Sequence, residues 1–163
     1  MAAAEGSRNC FECLKTELAT ISRLGASRVT TILFDGAGSS ECDRSSLTDY
    51  TTFLSRAIST PWGAALHAGL PILGVEGTFA TNQKGTPAAG QVFVKSGPRA
   101  QVSPTGQGIL SALTQAGYIV ADSGRKLVYA MFLRDLSLSQ DFKQFYAADE
   151  DHGAIAAAFQ EGH

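Results

Sequence analysis

Long apolar runs are missing from this chain of 163 residues: none approaches the roughly 18 residues that a helical membrane span needs. Charge of either sign is sparse. Charged residues make up 17%, the formal net charge is −2 and the pI is about 5.9. Without a basic stripe, nucleic-acid binding is not expected. Disordered chains are more charged and less apolar, so a 44% hydrophobic content reads as globular. The opening Met1-Ala2-Ala3-Ala4-Glu5-Gly6 has neither a basic nor an apolar segment, so no signal peptide is expected. Three cysteines, Cys10, Cys13 and Cys42, are too few for a disulfide framework. Cys10 and Cys13 have C-x-x-C spacing, but no second pair or clustered histidine completes a zinc site, and i,i+3 spacing suits one helix face. No internal repeat or low-complexity tract is present.

What the chain does have is turns and periodic segments. Its 17 glycines imply many tight turns. Phe11, Leu14, Leu18, Ile21 and Leu24 recur at helical steps, and Gly25 follows as a stop, predicting a helix over 11–24. Val29–Phe34 is apolar and β-branched and predicts a buried strand. Asp35-Gly36-Ala37-Gly38-Ser39-Ser40 predicts a turn. A second helix is expected near Ser46, capped by Ser45 or Ser46 with Asp49 in its first turn. Pro61–Thr86 predicts short helical turns only. Gln91–Gly97 predicts a short strand, and Pro98–Gly108, with two prolines, a loop. Ala112–Ala121 and Lys126–Leu133 predict strands joined by a hairpin turn at Asp122-Ser123-Gly124-Arg125. From Asp141 the chain predicts helix again. Hairpin-joined strands are antiparallel, so the expected class is α+β, with about three strands flanked by helices. The chain is read as a single partial domain, 11–90 mainly helical and 91–163 carrying the sheet and a terminal helix.

Lys95-Ser96-Gly97, at a strand end, is the segment best suited to chemistry. An ammonium can attract a substrate carboxylate, a hydroxyl can hydrogen-bond it, and glycine lets a substrate backbone lie against the strand. His67 and His152 belong to no pattern and read as surface or packed residues, and Glu76 reads as a turn or cap residue.

The order and spacing of several segments carry more weight than the tripeptide. Leu33-Phe34-Asp35-Gly36-Ala37-Gly38-Ser39-Ser40 comes first, then Leu70-Pro71-Ile72-Leu73-Gly74-Val75-Glu76-Gly77-Thr78-Phe79. Gly85-Thr86-Pro87-Ala88-Ala89-Gly90-Gln91-Val92-Phe93-Val94-Lys95-Ser96-Gly97 follows, and then Ala116-Gly117-Tyr118-Ile119-Val120. Together, over roughly 11–159, they resemble the penicillin-binding D-alanyl-D-alanine carboxypeptidases/endopeptidases of low-molecular-mass class C.

The resemblance implies the C-terminal part of a β-lactamase/transpeptidase-like fold. It also implies a serine acyl-enzyme mechanism, without metal or organic cofactor, on peptides ending in D-Ala-D-Ala, with β-lactams as inhibitors. Lys95 would act in catalysis, and Ser96 and Gly97 would bind substrate. Family members also carry S-x-x-K, whose Ser is the nucleophile, and S-x-N. Ser7-Arg8-Asn9 has the S-x-N form, making Ser7 and Asn9 catalytic candidates. The step from it to Asp35-Gly36 is shorter than the family's and suits a helix N-cap region instead. The only S-x-x-K string, Ser123-Gly124-Arg125-Lys126, falls in the predicted hairpin turn, so the nucleophile is expected on an absent upstream portion and the chain alone is expected to be inactive. Ser39 and Ser40 belong to a turn that is structural in the family. Pro98 departs from the family at a position whose N–H normally meets the oxyanion, and the following loop is predicted to be long. These departures point to decayed catalysis or a different ligand, so a non-catalytic peptide- or protein-binding module is the alternative reading. Without the family's preceding strands, Lys126–Leu133 would be an uncovered apolar edge. It would recruit a complementing N-terminal segment or a second copy.

Overall fold

The computed structural model describes residues 10–139 and 141–163. Ser7 and Asn9 lie outside the described residues. The chain divides into two compact units, 1–63 and 64–163.

The first unit holds helices α1 (Cys10–Arg23) and α2 (Leu47–Ala57). α1 ends where expected, because Gly25 takes a φ of 94°, open to glycine and strained for other residues. Cys10 and Cys13 both lie on this helix, and neither is in a disulfide. Ser46 caps α2 through a reciprocal box. Its hydroxyl accepts the Asp49 N–H at 3.0 Å, and the Asp49 carboxylate accepts the Ser46 N–H at 3.2 Å.

Asp49 also organises the segment before α2. It is only 4% exposed, and it accepts the Ser27 N–H at 2.7 Å and the Thr30 hydroxyl at 2.5 Å. This overturns the expected buried strand at Val29–Phe34. The chain wraps around the carboxylate as a turn and makes a single antiparallel bridge, Ile32 to Arg44. Val29 is 85% exposed and Phe34 59%. A β-branched run becomes a strand only where a partner ladder exists, and among the described residues Arg44 alone supplies one. The Asp35 turn forms as expected, its carboxylate accepting the N–H groups of Ala37 and Ser39.

The second unit is built on an antiparallel sheet. β1 (Val92–Val102), β2 (Gly108–Val120) and β3 (Lys126–Leu133) lie in that order, and β4 (Leu136–Leu138) pairs with the start of β2. α3 (Gly63–Ala68) and a 3₁₀ turn (Gly77–Phe79) precede the sheet. α4 (Lys143–Gly162) follows and packs on β2. The class is α+β, as read from the sequence. β3 and the Asp122–Arg125 turn fall where predicted. β4 is additional, and α4 starts two residues after Asp141.

Two boundaries are corrected, the end of β1 and the start of β2, which begins at Gly108 rather than Ala112. β1 does not end at Gly97 but runs through Pro98 to Val102, so the turn to β2 is only 103–107. An extra residue on β2, Ser111, interrupts the register opposite Arg99 and Ala100, and its hydroxyl donates to the Arg99 carbonyl at 3.0 Å.

The core lies between sheet and α4. Val92, Val94, Ile119 and Tyr129 point one way, onto Ala156 and Ala157, with Leu73, Phe79 and Ala88 completing the cluster. Small residues let α4 come close. A Cβ on Gly153 would sit 2.0 Å from Oδ1 of Asn82, whose amide donates to the Asp149 carbonyl at 2.9 Å. His152 is packed inside, as expected for a histidine without a catalytic pattern.

Candidate functional site

The direction of each backbone group on β1 defines the site. In an antiparallel ladder, alternate residues turn their N–H and C=O to opposite edges. Gln91 turns toward β2, since its carbonyl accepts the Val120 N–H at 2.9 Å. Val92 and Val94 turn the other way. The Val92 carbonyl accepts the Leu73 N–H at 3.0 Å, and the Val94 N–H donates to the Pro71 carbonyl at 2.9 Å. The outer edge of β1 is therefore covered at 92–94 by Pro71-Ile72-Leu73, which runs antiparallel to it.

Glycines hold that cover in place. Gly74 (φ 71°) and Gly77 (φ 68°) turn the chain back, Gly77 directly over the Pro71 ring. Glu76 precedes the 3₁₀ turn, and its side chain makes no capping bond.

Beyond Val94 the same alternation turns Ser96 and Pro98 outward, and Lys95 and Gly97 toward Ala116 and Thr114 of β2. Proline is tolerated within β1 because its missing N–H falls on the outer side, away from the β2 ladder. The expectation that Pro98 begins a loop failed on this point.

Lys95 is exposed, and its ammonium folds back to donate to the Ser96 carbonyl. A cation thus stands at the level where the cover over the edge has ended. Ser96 is half-buried and Gly97 exposed. A Cβ on Gly97 would lie 3.0 Å from Oγ1 of Thr114, which donates to the Gly97 carbonyl at 3.2 Å.

Lys95 shares its face of the sheet with Phe93 and, across the ladder, with Ala116 and Tyr118. His67 of α3 lies on this face, its ring centroid 4.1 Å from Phe93 and 5.3 Å from Tyr118. Burial raises the pKa of the Tyr118 hydroxyl. Sequence reading missed Thr114 and the His67–Phe93–Tyr118 stack. Period-2 alternation from Lys95 would have found Phe93, but the cross-strand neighbours need the register.

Gly117 explains the A-G-Y segment physically. A Cβ there would lie 1.9 Å from the Phe93 carbonyl oxygen. Only glycine lets β2 approach β1 at the level of the site.

Lys95, Ser96 and Gly97 are therefore neighbours on one open strand edge. Ser123 is not brought to them. It is exposed in the β2–β3 turn, beyond Val120, whereas Lys95 faces Ala116. The Ser123 hydroxyl accepts the Arg125 N–H at 3.4 Å, as a turn residue does. Ser39 and Ser40, in the first unit, are likewise turn residues. The Asp35 carboxylate accepts the Ser39 N–H, and the Ser40 hydroxyl accepts the Cys42 N–H.

The family model for the D-Ala-D-Ala carboxypeptidase 3 (S13) family matches residues 6–149. Among solved structures, penicillin-binding protein 4 from Haemophilus influenzae is similar over 86% of this chain and 30% of its own, with a TM-score of 0.63 and 20% identity. The same protein complexed with a novel β-lactam gives a TM-score of 0.64 and 20% identity over 86% of this chain and 31% of that one. This chain thus spans less than a third of the solved chains it matches, and at that identity the likeness establishes the fold. No curated protein matches the sequence significantly.

Proposed function

Because the chain belongs to the D-Ala-D-Ala carboxypeptidase 3 (S13) family, we propose that β1 is the substrate-binding wall of a serine-type D-Ala-D-Ala peptidase. The observation that carries this reading is the break in the edge cover. Pro71–Leu73 closes the edge as far as Val94, and beside the opening stands the Lys95 ammonium.

A peptide running antiparallel to β1 would lie in line with Pro71–Leu73, its C-terminal end meeting Pro71. It must therefore stop near Ser96, and its terminal carboxylate falls beside Lys95. Charge-assisted bonds to that carboxylate come from Lys95 and the Ser96 hydroxyl. Gly97 carries no side chain to obstruct the ligand.

In the complete enzyme, an activated serine attacks the D-Ala-D-Ala amide, D-Ala leaves, and water hydrolyses the acyl-enzyme. In the family pattern that serine opens an S-x-x-K helix. The only S-x-x-K string in these 163 residues lies in the β2–β3 turn. We therefore read them as one partial domain that binds the peptide terminus and is acylated only with a complementing N-terminal segment. Ser7 and Asn9 are carried as the S-x-N candidates of that assembly. A second reading, a non-catalytic peptide-binding module, is favoured by Pro98 alone.

The test is an NMR titration of the chain with acetyl-D-Ala-D-Ala, beside labelling with a fluorescent penicillin. Shifts are expected along 95–98, with affinity falling about tenfold in Lys95→Ala, as loss of one exposed charge-assisted bond implies. No penicillin labelling of the chain alone is expected. Absent shifts, or shifts indifferent to Lys95→Ala, would refute the binding role. Covalent labelling of the chain alone would refute the missing nucleophile.

A further inference from the structure

Pro98 sits at an outward-facing position of the open edge, where a ligand residue would ordinarily exchange two backbone hydrogen bonds. At 92 and 94, the cover uses the outward carbonyl of one residue and the outward N–H of the other. The next outward positions are Ser96 and Pro98. Ser96 has an N–H, and its carbonyl already accepts the Lys95 ammonium. Pro98 has a carbonyl and no N–H. Resting on the reading of β1 as a peptide-terminus site, the terminal ligand residue faces Gly97 with its carboxylate at Ser96. The penultimate residue then faces Pro98.

We propose that Pro98 is a specificity-determining residue: it holds the penultimate residue of a C-terminal peptide by that residue's N–H and gives its carbonyl no donor. The exposed Pro98 carbonyl accepts the ligand N–H, while the carbonyl of the last peptide bond meets the pyrrolidine ring. Ligands are therefore selected by what they donate at this position. Those lacking a carbonyl acceptor there lose nothing to the strand. The same feature leaves the bond to be cleaved without polarisation from β1, so this edge favours holding peptide ends over cleaving them.

The test compares three ligands by NMR titration of the 163-residue chain. They are acetyl-D-Ala-D-Ala, its thioamide at the last peptide bond (sulfur accepts hydrogen bonds poorly), and O-acetyl-D-lactyl-D-Ala, in which an ester oxygen replaces the penultimate N–H. One net hydrogen bond corresponds to about a 2–12-fold change in affinity. The ester is expected to bind about fivefold more weakly and the thioamide within about twofold of the parent. In Pro98→Ala, the restored N–H should tighten the parent about fivefold and make the thioamide the weaker ligand. A thioamide that costs the unmodified chain as much as the ester overturns the inference. That comparison needs no variant, so it stands even if Pro98→Ala folds poorly. If acetyl-D-Ala-D-Ala itself fails to bind, the reading of β1 as a peptide site falls, and the inference with it. Binding with a full carbonyl penalty removes the Pro98 inference alone.

Discussion

Replacing Gly117 by alanine tests whether the site depends on the close approach of β1 and β2. The added methyl would lie 1.9 Å from the Phe93 carbonyl oxygen, 2.9 Å from its carbon and 3.1 Å from the Val94 Cα. All three are backbone atoms, so no rotamer change relieves the clash. To reach an ordinary contact, the strands must part by about 1.5 Å. That stretches the ladder bonds joining Phe93 to Tyr118 and Lys95 to Ala116, which lie on either side of Gly117. Overpacking of a closed site costs about 1–3 kcal/mol. Stretching these two pairs forfeits about 1 kcal/mol more for each. The sum is about 3–5 kcal/mol, a large share of the roughly 5–15 kcal/mol that stabilises a domain. Urea unfolding followed by far-UV circular dichroism reads it. With a slope of about 2 kcal/mol/M, the midpoint should fall by about 1.5–2.5 M. Ala116→Gly, at the adjacent position, serves as the control and should cost about 1 kcal/mol. If Gly117→Ala unfolds within about 1 kcal/mol of the parent, the close approach does not constrain the sheet and the argument fails.

Two further outcomes follow from other parts of the chain. Burial by itself would raise the Asp49 carboxyl, but bonds from the Thr30 hydroxyl, the Ser27 N–H and both donors of Ser46 outweigh it and hold the group well below the usual carboxylate range. A depressed folded pKa gives stability that is complete above the unfolded value of about 3.9 and is lost as pH falls through the folded one. Asp49→Asn should therefore destabilise the first unit by about 2–4 kcal/mol at pH 7 and flatten its acid dependence. Fluorescence of Trp62, the chain's single tryptophan, reports on this unit; an unchanged acid profile would refute the assignment. The outer edge of β3 pairs with no strand among the described residues. Its Leu127–Leu133 run should make the isolated chain self-associate, and size-exclusion chromatography showing a cooperatively melting monomer would contradict this.

What the sequence determined by itself is local. Helical spacing from Phe11 to Leu24 ended by Gly25, the Ser46–Asp49 box, the Asp122–Arg125 turn and the apolar run of β3 each concern residues within a few positions of one another. Their physics needs no distant partner. The ordered segments around Lys95-Ser96-Gly97 also sufficed to indicate the family. Tertiary structure decided the rest, because a backbone group means something only relative to what lies beside it. Val29–Phe34 has strand composition, yet only Arg44 offered it a ladder partner, and Asp49, some twenty residues on, drew the Ser27 N–H and the Thr30 hydroxyl into a turn around its carboxylate. Pro98 looks like a strand breaker in one dimension. In three it is harmless to β2, because its missing N–H faces the other edge. That same orientation sets what the open edge can offer a ligand, and the pairing of Val92 and Val94 with Pro71–Leu73 reveals which edge it is.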